Sequence, residues 1–243
     1  MTRLLAIAAL TVATGVAGQQ NGACRFEAER SANIDAGASD RLELVARAGS
    51  LRVEGRAGLT RVQVRGQACA SSEELLDQLR LETGRNGGTV RVEVAEIDQG
   101  RWSRDRDRYA VLNLVIEVPE GMAADIEDGS GETVLVGLGR LHIDDGSGDL
   151  TIENIAGDVT IDDGSGGITA RDIRGDISVD DGSGEIEIRD VTGSVTVDDG
   201  SGSIRVENVS GDFTVSDDGS GSIRHSGVQG RVRIPDRGRN RRR

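Results

Sequence analysis

Beyond residue 124 the chain alternates apolar and polar positions in short bursts, and each burst is closed by a turn. Asp-Asp-Gly-Ser-Gly is followed by a polar–apolar–polar–apolar run, and so is a second nonapeptide of the type Glu153-Asn154-Ile155-Ala156-Gly157. Alternation at period two between glycine-rich turns predicts short strands buried on one face. The acidic turn stands at 144–148, 162–166, 180–184, 198–202 and 217–221, with a shortened forerunner at 128–131. Counted from the second Asp, the spacings are 17, 18, 18, 18 and 19 residues. A fixed period of this kind marks a stacked repeat. The pattern therefore predicts a mostly β fold: a β-solenoid of the single-stranded β-helix or β-roll kind, with two short strands per 18-residue coil.

The apolar columns carry the same period. Leu150, Ile168, Ile186, Ile204 and Ile223 make one inward row, and Ile152, Ala170, Ile188 and Val206 the next. On the second strand Val159, Ile177, Val195, Phe213 and Val232 align, as do Ile161, Val179, Val197, Val215 and Ile234. Ile155, Ile173, Val191, Val209 and Val228 fill the turn between strands. Coils stacked about 4.8 Å apart bring each row into register and bury an aliphatic core that no single coil could bury alone.

Ahead of the repeats the pattern is looser. Residues 19–39 read as irregular, while 42–47, 51–54 and 62–65 alternate like degenerate half-repeats. Ser71 and Glu74 fit a capping box, which predicts one short helix running to about Leu79 with Leu75, Leu76 and Leu79 on its apolar face. Such a helix covers an open solenoid end or serves a partner; the first role needs fewer assumptions. Residues 90–94 and 111–118 read as further strands. The polar loop between them carries Trp102 among arginines, a contact candidate unless it folds back on the wall. The organisation expected is thus 1–18, a signal peptide; 19–124, a β region with the helix and loop; 125–234, the regular solenoid; and 235–243, a basic disordered tail.

Composition changes this picture in three places. The apolar run after Met1-Thr2-Arg3, followed by Ala17-Gly18, reads as a secretory signal too short to span a bilayer, and nothing later is long enough to span one. A lipid attached at Cys24 is disfavoured because Asn21-Gly22-Ala23 lacks the apolar start of a lipobox. In an exported chain Cys24 and Cys69 form a disulfide or remain two buried thiols. Charge is uneven: 15 Arg against 17 acids over 19–124, 8 against 24 over 125–234, and 5 against 1 over 235–243. An acidic repeat of this strength excludes nucleic acid as its partner. The basic tail suits anionic headgroups, or discourages end-to-end stacking of copies.

Candidate chemistry is sparse. The repeats are similar to the RTX β-roll, G-G-x-G-x-D-x-U-x, but Leu150, Ile168, Ile186 and Ile204 stand where its liganding Asp belongs. Weak metal candidates remain in the second Asp of each corner: Asp145, Asp163, Asp181, Asp199 and Asp218. The competing expectation is an Asx-turn, with one Asp bonded to the corner's own N–H groups and the other solvated. His142 and His225 have no nucleophile or ligand partner at a motif spacing, and the serine of Gly-Ser-Gly recurs in every coil as a turn residue. With four aromatic side chains in all, a sugar has little to stack on. A hydroxyl file of Thr160, Ser178, Thr196 and Thr214 beside an acidic file is a poor ice surface. Neither an enzyme nor a cofactor is expected.

Asp-Asp-Gly-Ser-Gly-(Asp/Glu/Ser)-(Ile/Leu)-x-(Ile/Val) units behind a signal peptide resemble the DUF4097-type β-strand-repeat family, whose members are often labelled adhesins. The resemblance covers roughly residues 42–234. It implies a cell-envelope or surface protein that uses a repetitive face for contact, and it offers no catalytic residues to carry over. The expectation is a non-enzymatic exported scaffold, periplasmic or at the cell surface, contacting an envelope or surface protein or a glycan. The alternatives are an envelope-stress or structural module without adhesive role, and a Ca²⁺-binding β-roll.

Overall fold

The computed structural model describes residues 24–97 and 108–235. Its N-terminal strands are β1 (Phe26–Asp35), β2 (Arg41–Val45), β3 (Leu51–Arg56), β4 (Arg61–Ala70), β5 (Leu81–Asn86), β6 (Thr89–Val94) and β7 (Ala110–Pro119), with helix α1 (Glu73–Gln78) between β4 and β5. Then come β8 (Ala123–Asp128), β9 (Thr133–Val136), β10 (Leu141–Asp145), β11 (Leu150–Ile155), β12 (Val159–Asp163), β13 (Ile168–Ile173) and β14 (Ile177–Asp181). The last are β15 (Gly184–Val191), β16 (Val195–Asp199), β17 (Gly202–Val209), β18 (Phe213–Asp218), β19 (Gly221–Val228) and β20 (Val232–Arg233).

From β8 onward successive strands alternate between two parallel sheets, so each pair is one coil of a solenoid. The first sheet runs β1-β4-β7-β3-β9-β11-β13-β15-β17-β19 and the second β20-β18-β16-β14-β12-β10-β8-β2-β6-β5. The register is the one the columns predict: Ile168 pairs with Ile186, Ile161 with Val179, and Asp162 with Asp180. Between the sheets lies one continuous aliphatic core, in which Ile152, Ile155, Ile186 and Val195 are wholly buried. The exception to the period falls between β16 and β18, where the 19-residue spacing appears as a register shift after Val197.

The N-terminal part corrects the sequence reading. Residues 26–35 are not irregular but form β1, paired antiparallel with β4, which in turn pairs antiparallel with β7. Coil β2–β3 does not lead the stack in sequence order. It is sandwiched, since β2 pairs with both β6 and β8, and β3 with both β7 and β9. The chain therefore lays one coil, departs through β4, α1 and β5, and returns to stack β6 and β7 on its outer side. The helix starts later than expected. Its N-cap is Ser72, whose hydroxyl accepts from Leu75 N–H at 3.3 Å, while Ser71 Oγ accepts from Tyr109 N–H at 3.1 Å. Leu75 and Leu79 are buried, and the Arg30 guanidinium donates to the carbonyls of Leu76 and Leu79, satisfying groups the helix leaves unpaired at its end. A Cys24–Cys69 disulfide, with Cα atoms 5.6 Å apart, staples the start of β1 to the end of β4. Closing a loop of this length contributes about 4 kcal/mol in the chain-entropy account.

Among the described residues nothing caps the other end. In the last coil Ile223 and Val228 are only half-buried, and Val232 and Ile234 are each 39% exposed. His225 continues the column of Val206 but stands exposed, 5.9 Å from the buried Phe213 ring.

Candidate functional site

The acidic corner separates its two aspartates. Strand parity sends the first, Asp144, Asp162, Asp180 or Asp198, to the solvent side of the second sheet, and the second, Asp145, Asp163, Asp181 or Asp199, into the interior. Each buried Asp accepts the N–H of the serine two residues on: Ser147 at 3.2 Å, Ser165 at 3.1 Å, Ser183 at 2.9 Å and Ser201 at 2.9 Å. This is the Asx-turn expected from the sequence. Glycine is required at the end of the turn: Gly148 and Gly166 have φ of 136° and 147°, and a Cβ on either would sit under 2 Å from the carbonyl oxygen of the glycine one coil back.

The second oxygen of the buried carboxylate distinguishes the coils. In the first corner Asp128 accepts the Thr133 hydroxyl at 2.6 Å and Gly129 N–H at 2.8 Å. One coil on, Leu150 pairs with Thr133 in the sheet, and Ile168 pairs with Leu150. With the hydroxyl replaced by aliphatic side chains, Oδ2 of Asp145, Asp163 and Asp181 has no hydrogen-bond partner among the described residues. Burial pushes Asp145 up to about 7, helped by the charges of Asp128 and Asp163, and Asp181 up to about 6, helped by Asp163. Asp128 and Asp163 are raised as well, again first by burial. Asp218, at the register shift, is buried, and its own N–H donates to Asp217. Among the described residues no three His, Cys, Asp or Glu side chains form a group able to hold a metal ion.

The outer faces of the two sheets differ more. On the first sheet, arginines and glutamates interleave across strands. Arg171 pairs with Glu153, Arg189 with Glu187 and Glu207, and Arg205 with Glu187 at 3.7 Å and Glu207 at 2.7 Å. Farther along, Arg52 and Arg56 meet Glu54, and Arg65 meets Glu117 at 2.9 Å. On the second sheet Glu127, Asp144, Asp162, Asp180 and Asp198 succeed one another strand by strand, exposed and, among the described residues, without an ion pair. Beside them run His142, Thr160, Ser178, Thr196 and Thr214. A third file is satisfied by backbone: Asp158 accepts Asp176 N–H at 3.1 Å, and Asp176 accepts Ser194 N–H at 2.7 Å. Carboxylates a strand spacing apart repel one another, and a cationic surface relieves that repulsion.

Sequence reasoning missed a second ladder. At the other corner Asn154, Asp172, Asp190 and Asn208 hold φ of 54–58°, and Gly227 continues the file at 67°. Asn208 donates to Asp190 Oδ1 at 2.8 Å. An open groove of about 500 Å³ follows this corner, lined in part by Asn154, Asp172, Arg174, Asp190, Thr192 and Asn208. The signal was available, since an Asn or Asp precedes the buried Ile or Val in four successive coils. Trp102, the contact candidate, lies outside the described residues, as do the expected signal segment and the basic tail. His142 and His225 make no side-chain hydrogen bond among the described residues, and no described helix is long and apolar enough to cross a membrane.

No protein-family model matches the chain, and no curated protein matches it. Crystal structures of similar shape include a proposed adhesin of Bacteroides fragilis, 11% identical, covering 85% of this chain and 96% of that one with a TM-score of 0.40. A proposed lipid-binding protein of Parabacteroides distasonis is 14% identical over 86% of this chain and 97% of its own, at a TM-score of 0.34. A proposed cell-adhesion protein of Clostridium sporogenes is 12% identical over 86% and 98%, at 0.33. Likeness this remote assigns neither ligand nor activity.

Proposed function

We propose that the chain is a non-enzymatic, exported envelope protein, an adhesin-like scaffold that offers the outer face of its second sheet to a basic partner. The observation that carries this reading is the contrast between the faces: arginines of the first sheet pair with neighbouring glutamates, while Asp144, Asp162, Asp180 and Asp198 of the second are exposed and, among the described residues, in no ion pair. Charges arranged in this way steer and select a cationic partner more than they add raw affinity. The disulfide supports an oxidising compartment. A basic patch on an envelope or surface protein suits the face better than a neutral glycan, given so few aromatic platforms.

Two measurements test the reading. Fractionation of the source cells is expected to place the protein outside the cytoplasm with Cys24 and Cys69 oxidised; a reduced cytoplasmic pool overturns export. Polyarginine-coated beads are expected to retain the protein at low salt and release it as salt rises. Joint replacement of Asp144, Asp162, Asp180 and Asp198 by Asn is expected to abolish retention. Equal retention of that variant removes the face from the proposal.

A further inference from the structure

We infer that copies of this chain associate head to tail, the last coil of one stacking on β1 of the next so that the sheets run on across the junction. The two sheets hold ten strands each but are out of step by one. β18 and β19 form the last complete coil, and β20 carries the second sheet one strand beyond it. At the N-terminal end β4 and β5 follow β7 and β6, and β1 carries the first sheet one strand beyond β4. Each end is therefore a step that the other fills: β1 of a second copy fits beside β19, across from β20. Strand direction agrees. β1 is antiparallel to β4 and β4 to β7, while β7, β3, β9 and the later strands of that sheet are parallel. Two reversals bring β1 into the direction of β19, so a copy stacked in the same orientation continues a parallel sheet.

Side chains and charge match across the step. Phe26, Ala28, Ala32 and Ile34 on the inward side of β1 are half-buried, as is Ile223 of β19, and Val232 and Ile234 are each 39% exposed. Setting Arg224 beside Glu27 puts Ile223 beside Phe26 and His225 beside Ala28, so apolar positions meet inside and charges outside. Residues 219–235 carry three arginines and no acid, whereas the coils before them are acidic. Arg224 is exposed and, among the described residues, in no ion pair. On β1 Glu27, Glu29 and Asp35 are exposed, and its one arginine, Arg30, donates to the helix carbonyls. Opposite charges favour this pairing of ends, and like charges oppose the pairing of two C-terminal ends. The carbonyls of Glu29 and Asp35 already accept the guanidiniums of Arg30 and Arg85, but a carbonyl oxygen can accept a second donor. Edge strands are templates for such addition. A head-to-tail contact does not close, so it builds a filament that repeats the acidic face of the second sheet in every copy. Two strand edges and the ends of one core fall short of the about 1,200 Å² at which stable interfaces begin, so assembly belongs to high local concentration. The inference goes beyond the proposed contact face and does not rest on it.

The test is sedimentation velocity of the whole exported chain, with Cys24 and Cys69 oxidised, from micromolar to millimolar concentration. The sedimentation coefficient is expected to climb with concentration without levelling at a dimer, and to fall back as salt rises. Arg224→Glu, and Glu27→Arg joined with Glu29→Arg, change exposed side chains only, so both variants are expected to fold and each alone to stay monomeric. Mixed together they are expected to associate again, because each C-terminal end then finds an N-terminal end of opposite charge. A coefficient that stays constant up to millimolar overturns the inference. A plateau at the dimer, association that strengthens with salt, or self-association kept by the Glu27 and Glu29 variant alone points to a symmetric contact and overturns it as well. Association that survives both charge reversals but is lost when Arg237, Arg239 and Arg241 are changed to Gln assigns the contact to the terminal segment and overturns it too. Polyarginine retention is read on dilute protein with both ends unchanged, so failure here is separable from failure of the contact face.

Discussion

At one corner of each coil the chain turns on Gly-Ser-Gly and sends an aspartate inward; at the other it turns on a left-handed Asn or Asp and sends Ile or Val inward. Both corners must reverse the chain beneath a neighbour one strand spacing away, and both leave N–H groups that the sheet ladders do not use. The first answers with close backbone approach and a carboxylate oxygen aimed at the serine N–H. The second answers with an Asx residue that tolerates positive φ and a branched side chain that fills the space. The second corner gains apolar burial. The first gains a satisfied turn but buries a titratable group, and Asp128, beside Thr133, has both carboxylate oxygens hydrogen-bonded. The stack is therefore filled by aliphatic side chains along one edge and proton-sensitive along the other.

The largest expected effect breaks the glycine corner. A Cβ on Gly166 would lie 1.7 Å from Gly148 O, where only backbone could give way, and the position holds φ of 147°. Gly166→Ala should therefore cost more than about 4 kcal/mol or prevent folding. At the facing corner Ile173→Ala empties a wholly buried site in the turn row and should cost about 2–5 kcal/mol. Urea unfolding of the two variants ranks them. If the alanine at 166 proves the milder change, the close approach of successive glycines is not what shapes this corner.

Next in size is a pH effect that only the acidic corner should show. Burial pushes Asp145 up to about 7 and Asp181 up to about 6, from 3.8 for the free side chain. A raised carboxyl pKa means the folded chain holds protons that the unfolded chain has lost. The stabilising contribution is full below about pH 4 and disappears as pH rises through 6 and 7. Each unit of difference corresponds to about 1.4 kcal/mol. The unfolding midpoint is therefore expected to rise as pH falls from 8 towards 5, and Asp145→Asn should flatten that slope. A midpoint that climbs with pH instead, and climbs further with Ca²⁺, would show that the buried file is ionised around cations. It would return Asp145, Asp163, Asp181, Asp199 and Asp218 to the role of ligands.

How much of this the sequence disclosed depends on the range of the interaction. The columns from Leu150 to Val215, the two sheets and the Asx-turn of Asp163 follow from alternation within a coil and repetition between coils, both printed in the text of the chain. Strand β1 was hidden because its inward positions, Phe26, Ala28, Arg30, Ala32 and Ile34, mix small and charged residues and are only half-buried at a sheet edge. The sandwiched position of β2 and β3 arises from pairings across many residues, which periodicity does not encode. At the candidate site the acids themselves were legible. Their different fates were not: that Glu187 and Glu207 meet Arg189 and Arg205, that Asp162 and Asp180 meet none, and that a single threonine relieves Asp128 are facts of strand neighbourhood.

The smallest expected effect probes the left-handed file. Asp172 has φ of 58° and, unlike Asp190, no described side-chain hydrogen bond, so its backbone conformation can be tested apart from its contacts. Glycine adopts this region without steric cost, as Gly227 does at the end of the same file, and Asp172→Gly should change stability by less than about 1 kcal/mol. A β-branched residue meets the steric penalty of the left-handed region, and Asp172→Val should cost about 1–3 kcal/mol although it removes no apolar contact and adds a side chain suited to strands. Thermal unfolding of both variants at one pH separates the two accounts. A valine as well tolerated as glycine would mean that the corner relaxes out of positive φ, and that the buried aliphatic row, rather than the Asx file, fixes its shape.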